Sequence, residues 1–103
     1  MGGSISIANF AKNNVFVRIT TAGEGFLVKE LNAVQQNTTK AEGLEAVWYD
    51  VQIIDNGKAV WIKGVYAGSH PTLTYKDQSI TAPANATPTK EEVAASIAAV
   101  NKV

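Results

Sequence analysis

Residues 47–66, VWYDVQIIDNGKAVWIKGVY, decide the fold. Asn56-Gly57 lies between two runs rich in β-branched and aromatic residues, and Asn-Gly is the strongest short-range signal for a type I′ turn, because both central residues need φ > 0. With a two-residue loop Asp55 pairs with Lys58, and the register follows. Ile53 stands opposite Val60, Val51 opposite Ile62, Tyr49 opposite Gly64 and Val47 opposite Tyr66. Side chains alternate along a strand, so these eight share one face, and that face is a core. The second face carries Trp48 opposite Val65, Asp50 opposite Lys63 and Gln52 opposite Trp61. It combines two indoles, a cross-strand ion pair and a carboxamide.

Outward from this hairpin the chain continues in β pattern. Ser4–Phe10 alternates with Ile5 and Ile7 on one side. After an Asn13-Asn14 turn, Val15–Thr21 places Val15, Val17 and Ile19 inward and Phe16, Arg18 and Thr20 outward. Gly23-Glu24-Gly25 supplies a hairpin turn. Phe26–Val34 is its return strand, with the mixed parity of a strand buried on both faces or interrupted by a bulge. Gln35–Gly43 is the longest polar stretch and reads as a surface loop. Thr72–Thr81 is a further strand, with a break or bulge at Lys76-Asp77-Gln78. Residues 83–88 form a Pro/Ala/Asn linker. Thr89 and Glu92 make a capping box that opens a helix to about Asn101, with Val93, Ile97 and Val100 as its apolar stripe. Six or seven short strands with regular turn signals imply an antiparallel sandwich or barrel.

The whole chain is 103 residues, enough for one domain, 1–103, and not for two independent cores. Nine basic and nine acidic residues cancel, and the basic ones are scattered. Nucleic acid and anionic membrane surfaces, which need concentrated positive charge, are not expected partners. No apolar run is long enough to span a bilayer, and no classical signal peptide is visible. Cysteine is absent, so stability comes from packing and hydrogen bonds. The expected location is the cytoplasm, or the cell surface reached by non-classical secretion. Gly2 with Ser6 fits an N-myristoylation pattern, against the simpler reading of a flexible lead into the first strand. Asn37-Thr38-Thr39 and Asn85-Ala86-Thr87 fit the glycosylation acceptor pattern.

Little in the chain suggests turnover. The single histidine, His70, sits before Pro71 in a turn, beside Ser69 but with no orienting acid in view. One histidine and no cysteine argue against a zinc site, and no calcium or phosphate loop is present. No metal or other cofactor is expected. Asp50 and Asp55 share a strand at opposite parity, which separates them as a carboxylate pair. The aromatics are more suggestive. An exposed indole gives a flat apolar platform for a sugar ring, and neighbouring acids and amides hydrogen-bond hydroxyls. The candidate ligand-binding residues are Trp48, Asp50, Gln52, Trp61 and Lys63 on the hairpin, Phe16 on the neighbouring strand and Asn37 in the amide-rich loop. The competing reading covers that face with another element and makes both tryptophans core.

From Asn13-Asn14-Val15-Phe16-Val17 through Val47-Trp48-Tyr49-Asp50 and Val60-Trp61-Ile62-Lys63 to Ser69-His70-Pro71-Thr72-Leu73, the chain resembles the small hemagglutinins of plasmodial slime moulds. The resemblance implies a compact sandwich of two antiparallel sheets and a non-catalytic lectin that agglutinates cells by binding glycans of cell-surface glycoproteins. Agglutination needs two sites, hence a homodimer or two sites per chain. The terminal helix departs from a minimal lectin sandwich. The expected fold is therefore all-β, an antiparallel β-sandwich of six or seven strands with one short C-terminal helix. The alternative function is a protein–protein interaction domain that docks through its aromatic face or that helix.

Overall fold

A computed structural model describes residues 2–87 and Glu91. The chain forms β1 (Gly3–Asn9), β2 (Val15–Thr21), β3 (Leu27–Val34), β4 (Thr38–Leu44), β5 (Trp48–Asp55), β6 (Lys58–Tyr66), β7 (Thr72–Lys76) and β8 (Ser79–Thr81). Short 3₁₀ turns follow β6, at Ala67–Ser69, and β8, at Ala84–Ala86. One sheet has the order β4-β1-β7-β8 and the other β3-β2-β5-β6. Ile5, Ile7, Leu73 and Tyr75 of the first sheet meet Val17, Ile19, Val51 and Ile53 of the second in one core. The architecture is all-β, as the alternation implies, with two four-stranded sheets facing each other.

Three features correct the sequence reading. Among the described residues the strands number eight, because Thr38–Leu44 is β4 and not part of a loop. β4 is an edge strand paired only to β1, and Leu44 is its one fully buried residue. Edge strands carry polar and charged side chains on their solvated sides, which suppresses chain-to-chain pairing, so β4 imitates a loop in composition. Second, the sandwich is not wholly antiparallel: β1 pairs with β7 in parallel. The Ala67–Ser69 turn carries the chain from one sheet to the other, and β7 takes the free side of the central strand β1. Third, the linker contains a 3₁₀ turn whose Ala86 is fully buried. The helix expected from Thr89 lies outside the described residues, Glu91 apart.

Elsewhere the expectation holds in register, except that Thr20, expected outward, is buried with its hydroxyl against the Asp50 carbonyl. Ile5 and Ile7, and Val15, Val17 and Ile19, all point into the core. The break at Asp77-Gln78 is the turn of the β7–β8 hairpin. β3 follows the bulged alternative: its pairing to β2 shifts twice, and only Leu31 and Val34 are buried.

Four connections gather at one end of the sandwich: the β1–β2 loop and the β3–β4, β5–β6 and β7–β8 turns. Buried Asn9 organises them. Its Nδ2 donates to the carbonyls of Asn13 and Val34, both at 2.9 Å, and its Oδ1 accepts the Ala11 N–H at 2.9 Å. Both amide hydrogens are therefore used, so the loop is fixed by one side chain. Asp55 joins the sheets at this end. Its Oδ2 accepts from the Tyr75 hydroxyl at 2.8 Å and its Oδ1 from Asn13 Nδ2 at 3.2 Å.

Candidate functional site: the outward face of the β3-β2-β5-β6 sheet

The hairpin register is as expected near its turn. Asp55 pairs with Lys58, Ile53 with Val60, Gln52 with Trp61 and Val51 with Ile62. Beyond Val51 it shifts by one residue, because Lys63 and Gly64 together stand opposite Asp50. This is a β-bulge, and Gly64 has φ +71°, a conformation that disfavours any side chain. Past the bulge Tyr49 faces Val65, not Gly64, and Trp48 faces Tyr66, not Val65. Tyr66 is thereby moved off the core face expected for it. Val47 lies outside the strand and is exposed.

Asp50 holds the bulge together. Its Oδ1 accepts the Gly64 N–H at 3.0 Å, its Oδ2 accepts the Gly23 N–H at 3.2 Å, and Lys63 Nζ stands 3.8 Å from Oδ2. The residue is only 5% exposed. The ion pair with Lys63 is therefore not between two solvated groups. The carboxylate is buried and fastens the β2–β3 turn to β6.

The outward face can be laid out in rows from the pairings. Ala59, Ile54 and Phe16 form one row, and Trp61, Gln52, Arg18 and Glu30 the next. Trp48 and Tyr66 close the far end, their ring centroids 4.4 Å apart and tilted by 33°. That pairing leaves Trp48 half-buried, with Tyr66 against it. Trp61 is the open indole: the residue is 45% exposed, and Lys63 Nζ lies 4.7 Å from its ring centroid. Beside it, Gln52 Oε1 is the one buried side-chain polar atom among the described residues with no hydrogen-bond partner. Phe16 is half-buried two strands and one row from Trp61, roughly 12 Å from sheet spacings.

Of the seven residues proposed from sequence, Phe16, Gln52, Trp61 and Lys63 share this face. Trp48 sits at one end of it, and Asp50 lies buried beneath the bulge. Asn37 belongs to the β3–β4 turn at the loop end, where its N–H donates to the Asn9 carbonyl at 2.7 Å and its φ is +60°. Arg18 and Tyr66 were missed. Arg18 is half-buried directly beside Gln52, as its outward parity on β2 implied. Tyr66 was hidden by the bulge, for which the signal was a glycine inside a strand.

His70 lies in a turn and is exposed, with φ +51° and Nδ1 2.9 Å from Ser4 Oγ. Ser69 faces elsewhere and donates to the Asn85 carbonyl at 2.6 Å. Among the described residues no group of three or more His, Cys, Asp or Glu side chains converges, and no helix is long and apolar enough to cross a membrane.

Fold and face together define an all-β domain of two facing four-stranded sheets with an aromatic and amide surface on one of them. Comparison of the chain with protein families, curated proteins and solved structures gave no match.

Proposed function

We propose that the chain is a non-catalytic, carbohydrate-binding lectin that recognises glycans of cell-surface glycoproteins and that uses the outward face around Trp61. The observation that carries this reading is the open Trp61 ring next to an unpartnered Gln52 acceptor. An apolar platform held on a strand, with adjacent amide and guanidinium groups, suits a ring that has one apolar face and hydroxyls at its edge. The resemblance to slime-mould hemagglutinins supports the same reading. Such a protein acts at the cell surface without classical secretion, or in the cytoplasm, and cross-links through a homodimer or through two sites per chain.

Trp61→Ala is expected to weaken glycan binding by about tenfold or more, since losing the stacking platform removes on the order of 1.5 kcal/mol. The unfolding midpoint should change little, because the ring is already half in water. A glycan array on the folded wild-type chain and this variant checks both points. Equal binding by the two, or none above background by the wild type, would remove this face from the account.

A second reading, docking on another protein, is favoured by the edge of the same sheet. Phe26 is 67% exposed, and Leu27 and Val28 follow it in the open. Phe26→Ser together with Val28→Ser would abolish a protein contact there and leave glycan binding unchanged.

A further inference from the structure

We infer that the chain carries a second saccharide site, in a cleft at the loop end of the sandwich, for a neutral sugar ring stacked on Phe10. This rests on the lectin reading and adds to it a place, a platform and a ligand charge. The cleft measures about 340 Å³, at the small end of ligand sites, which suits a single sugar ring or a short chain end. Phe10 and Lys12 of the β1–β2 loop, Asp77 and Gln78 of the β7–β8 turn, and Asp55 at the end of β5 line it.

Phe10 is 53% exposed, yet its backbone is pinned. Its N–H donates to the Tyr75 carbonyl at 2.8 Å, and the next N–H, of Ala11, donates to Asn9 Oδ1. A phenyl ring held open to water on a fixed backbone is a preformed platform, so little conformational freedom is lost when a ligand covers it.

The β7–β8 turn adds an independent observation. Asp77 and Gln78 have φ of +51° and +60°, the left-handed region. The β5–β6 turn at the same end has the same conformation, with Asn56 at +50° and Gly57 at +82°, and there uses the residues that tolerate it. Gln is a poor choice for that position, and strain of this kind clusters where a side chain has a task. Here the side chain lines the cleft.

Lys12 and Lys76 contribute two positive charges to the cleft, and Asp55 and Asp77 two negative ones, so the site has no net charge with which to select an ion. Asp55 takes one donor on each oxygen, Asn13 on Oδ1 and Tyr75 on Oδ2. The carboxylate is itself buried, 7% exposed, so it fixes the two segments around the cleft and leaves ligand contacts to the exposed side chains.

Amide NMR titration of the full chain with methyl β-galactoside, methyl α-mannoside and N-acetylglucosamine tests the inference. At least one of them should shift the amides of Phe10–Asn13 and Asp77–Gln78 saturably. Phe10→Ala should weaken that response by about tenfold while leaving any response around Trp61 intact. Gln78→Gly should weaken the same response yet raise Tm by about 2–5 °C, because glycine relieves the left-handed strain. A damaged fold would lower Tm instead. Shifts confined to the neighbours of Trp61, or loop-end shifts untouched by Phe10→Ala, overturn the second site and leave the lectin reading standing. Absence of shifts anywhere overturns both.

Discussion

Asp50→Ala is expected to lower the unfolding free energy by about 3 kcal/mol at neutral pH. The carboxylate accepts two backbone N–H groups from different parts of the chain, Gly64 at the β6 bulge and Gly23 in the β2–β3 turn. Alanine removes both charge-assisted contacts, at Gly64, which is half-buried, and at Gly23, which is exposed, and a hydrogen bond to a charged group is worth about 1.5–3 kcal/mol, less where water can replace it. The Lys63 contact adds little to this, since the Lys63 side chain is 71% exposed and its charge is screened. Asp50→Asn keeps one acceptor and should fall between wild type and alanine, while Lys63→Ala should cost well under 1 kcal/mol. Urea unfolding at constant slope measures all three. If Lys63→Ala costs as much as Asp50→Ala, the ion pair and not the amide contacts holds the bulge.

The second large effect is at the junction of the sheets. Tyr75→Phe should cost about 2 kcal/mol at neutral pH, because it strips the buried Asp55 carboxylate of its hydroxyl donor. It should also change the response to alkali. Burial, and then the hydrogen bond to Asp55 and its charge, push the Tyr75 phenol up to about 12 from its usual 10.0. A phenol whose folded value is raised resists ionisation only while folded. Its contribution is complete below pH 10 and is lost as pH climbs from 10 through 12. Tyr49 is shifted the same way by burial and by the charge of Glu45, against a smaller opposing effect of hydrogen bonding with the Glu45 backbone. The wild-type chain should therefore lose stability steeply above pH 10. Tyr75→Phe should keep only the shallower part that belongs to Tyr49. Parallel alkaline curves for the two proteins would show that Tyr75 ionises no differently in the fold.

Much of the fold was legible because its core strands obey period two. Ile5 and Ile7, Val15 through Ile19, and Val51 and Ile53 announce their buried face by alternation alone. The Asn56-Gly57 turn set the register of the hairpin for as long as the strands stayed regular. What escaped has physical reasons. β4 is solvated along most of its length, so its composition is that of a loop, and its pairing to β1 is a long-range fact that no local pattern records. The bulge at Lys63-Gly64 turned Tyr66 outward, and one inserted residue reverses the parity of everything beyond it.

The site was partly legible for the same reasons. Trp61, Gln52 and Phe16 follow from parity near the turn, where the register is undisturbed. Asp50 shares that parity, yet the bulge draws two backbone amides onto its carboxylate. Phe10 and the Asp77-Gln78 turn come together only because β1 and β7 run side by side, a parallel contact between segments more than sixty residues apart.

The central claim, that Trp61 is an open platform for a saccharide, is tested most directly in a chain carrying Trp48→Phe, where Trp61 is the single indole. Iodide should quench its fluorescence strongly, and a glycoprotein rich in neutral terminal sugars should protect it, with the protection reversed by the free sugar. Strong quenching that no glycoprotein or sugar diminishes would contradict the claim.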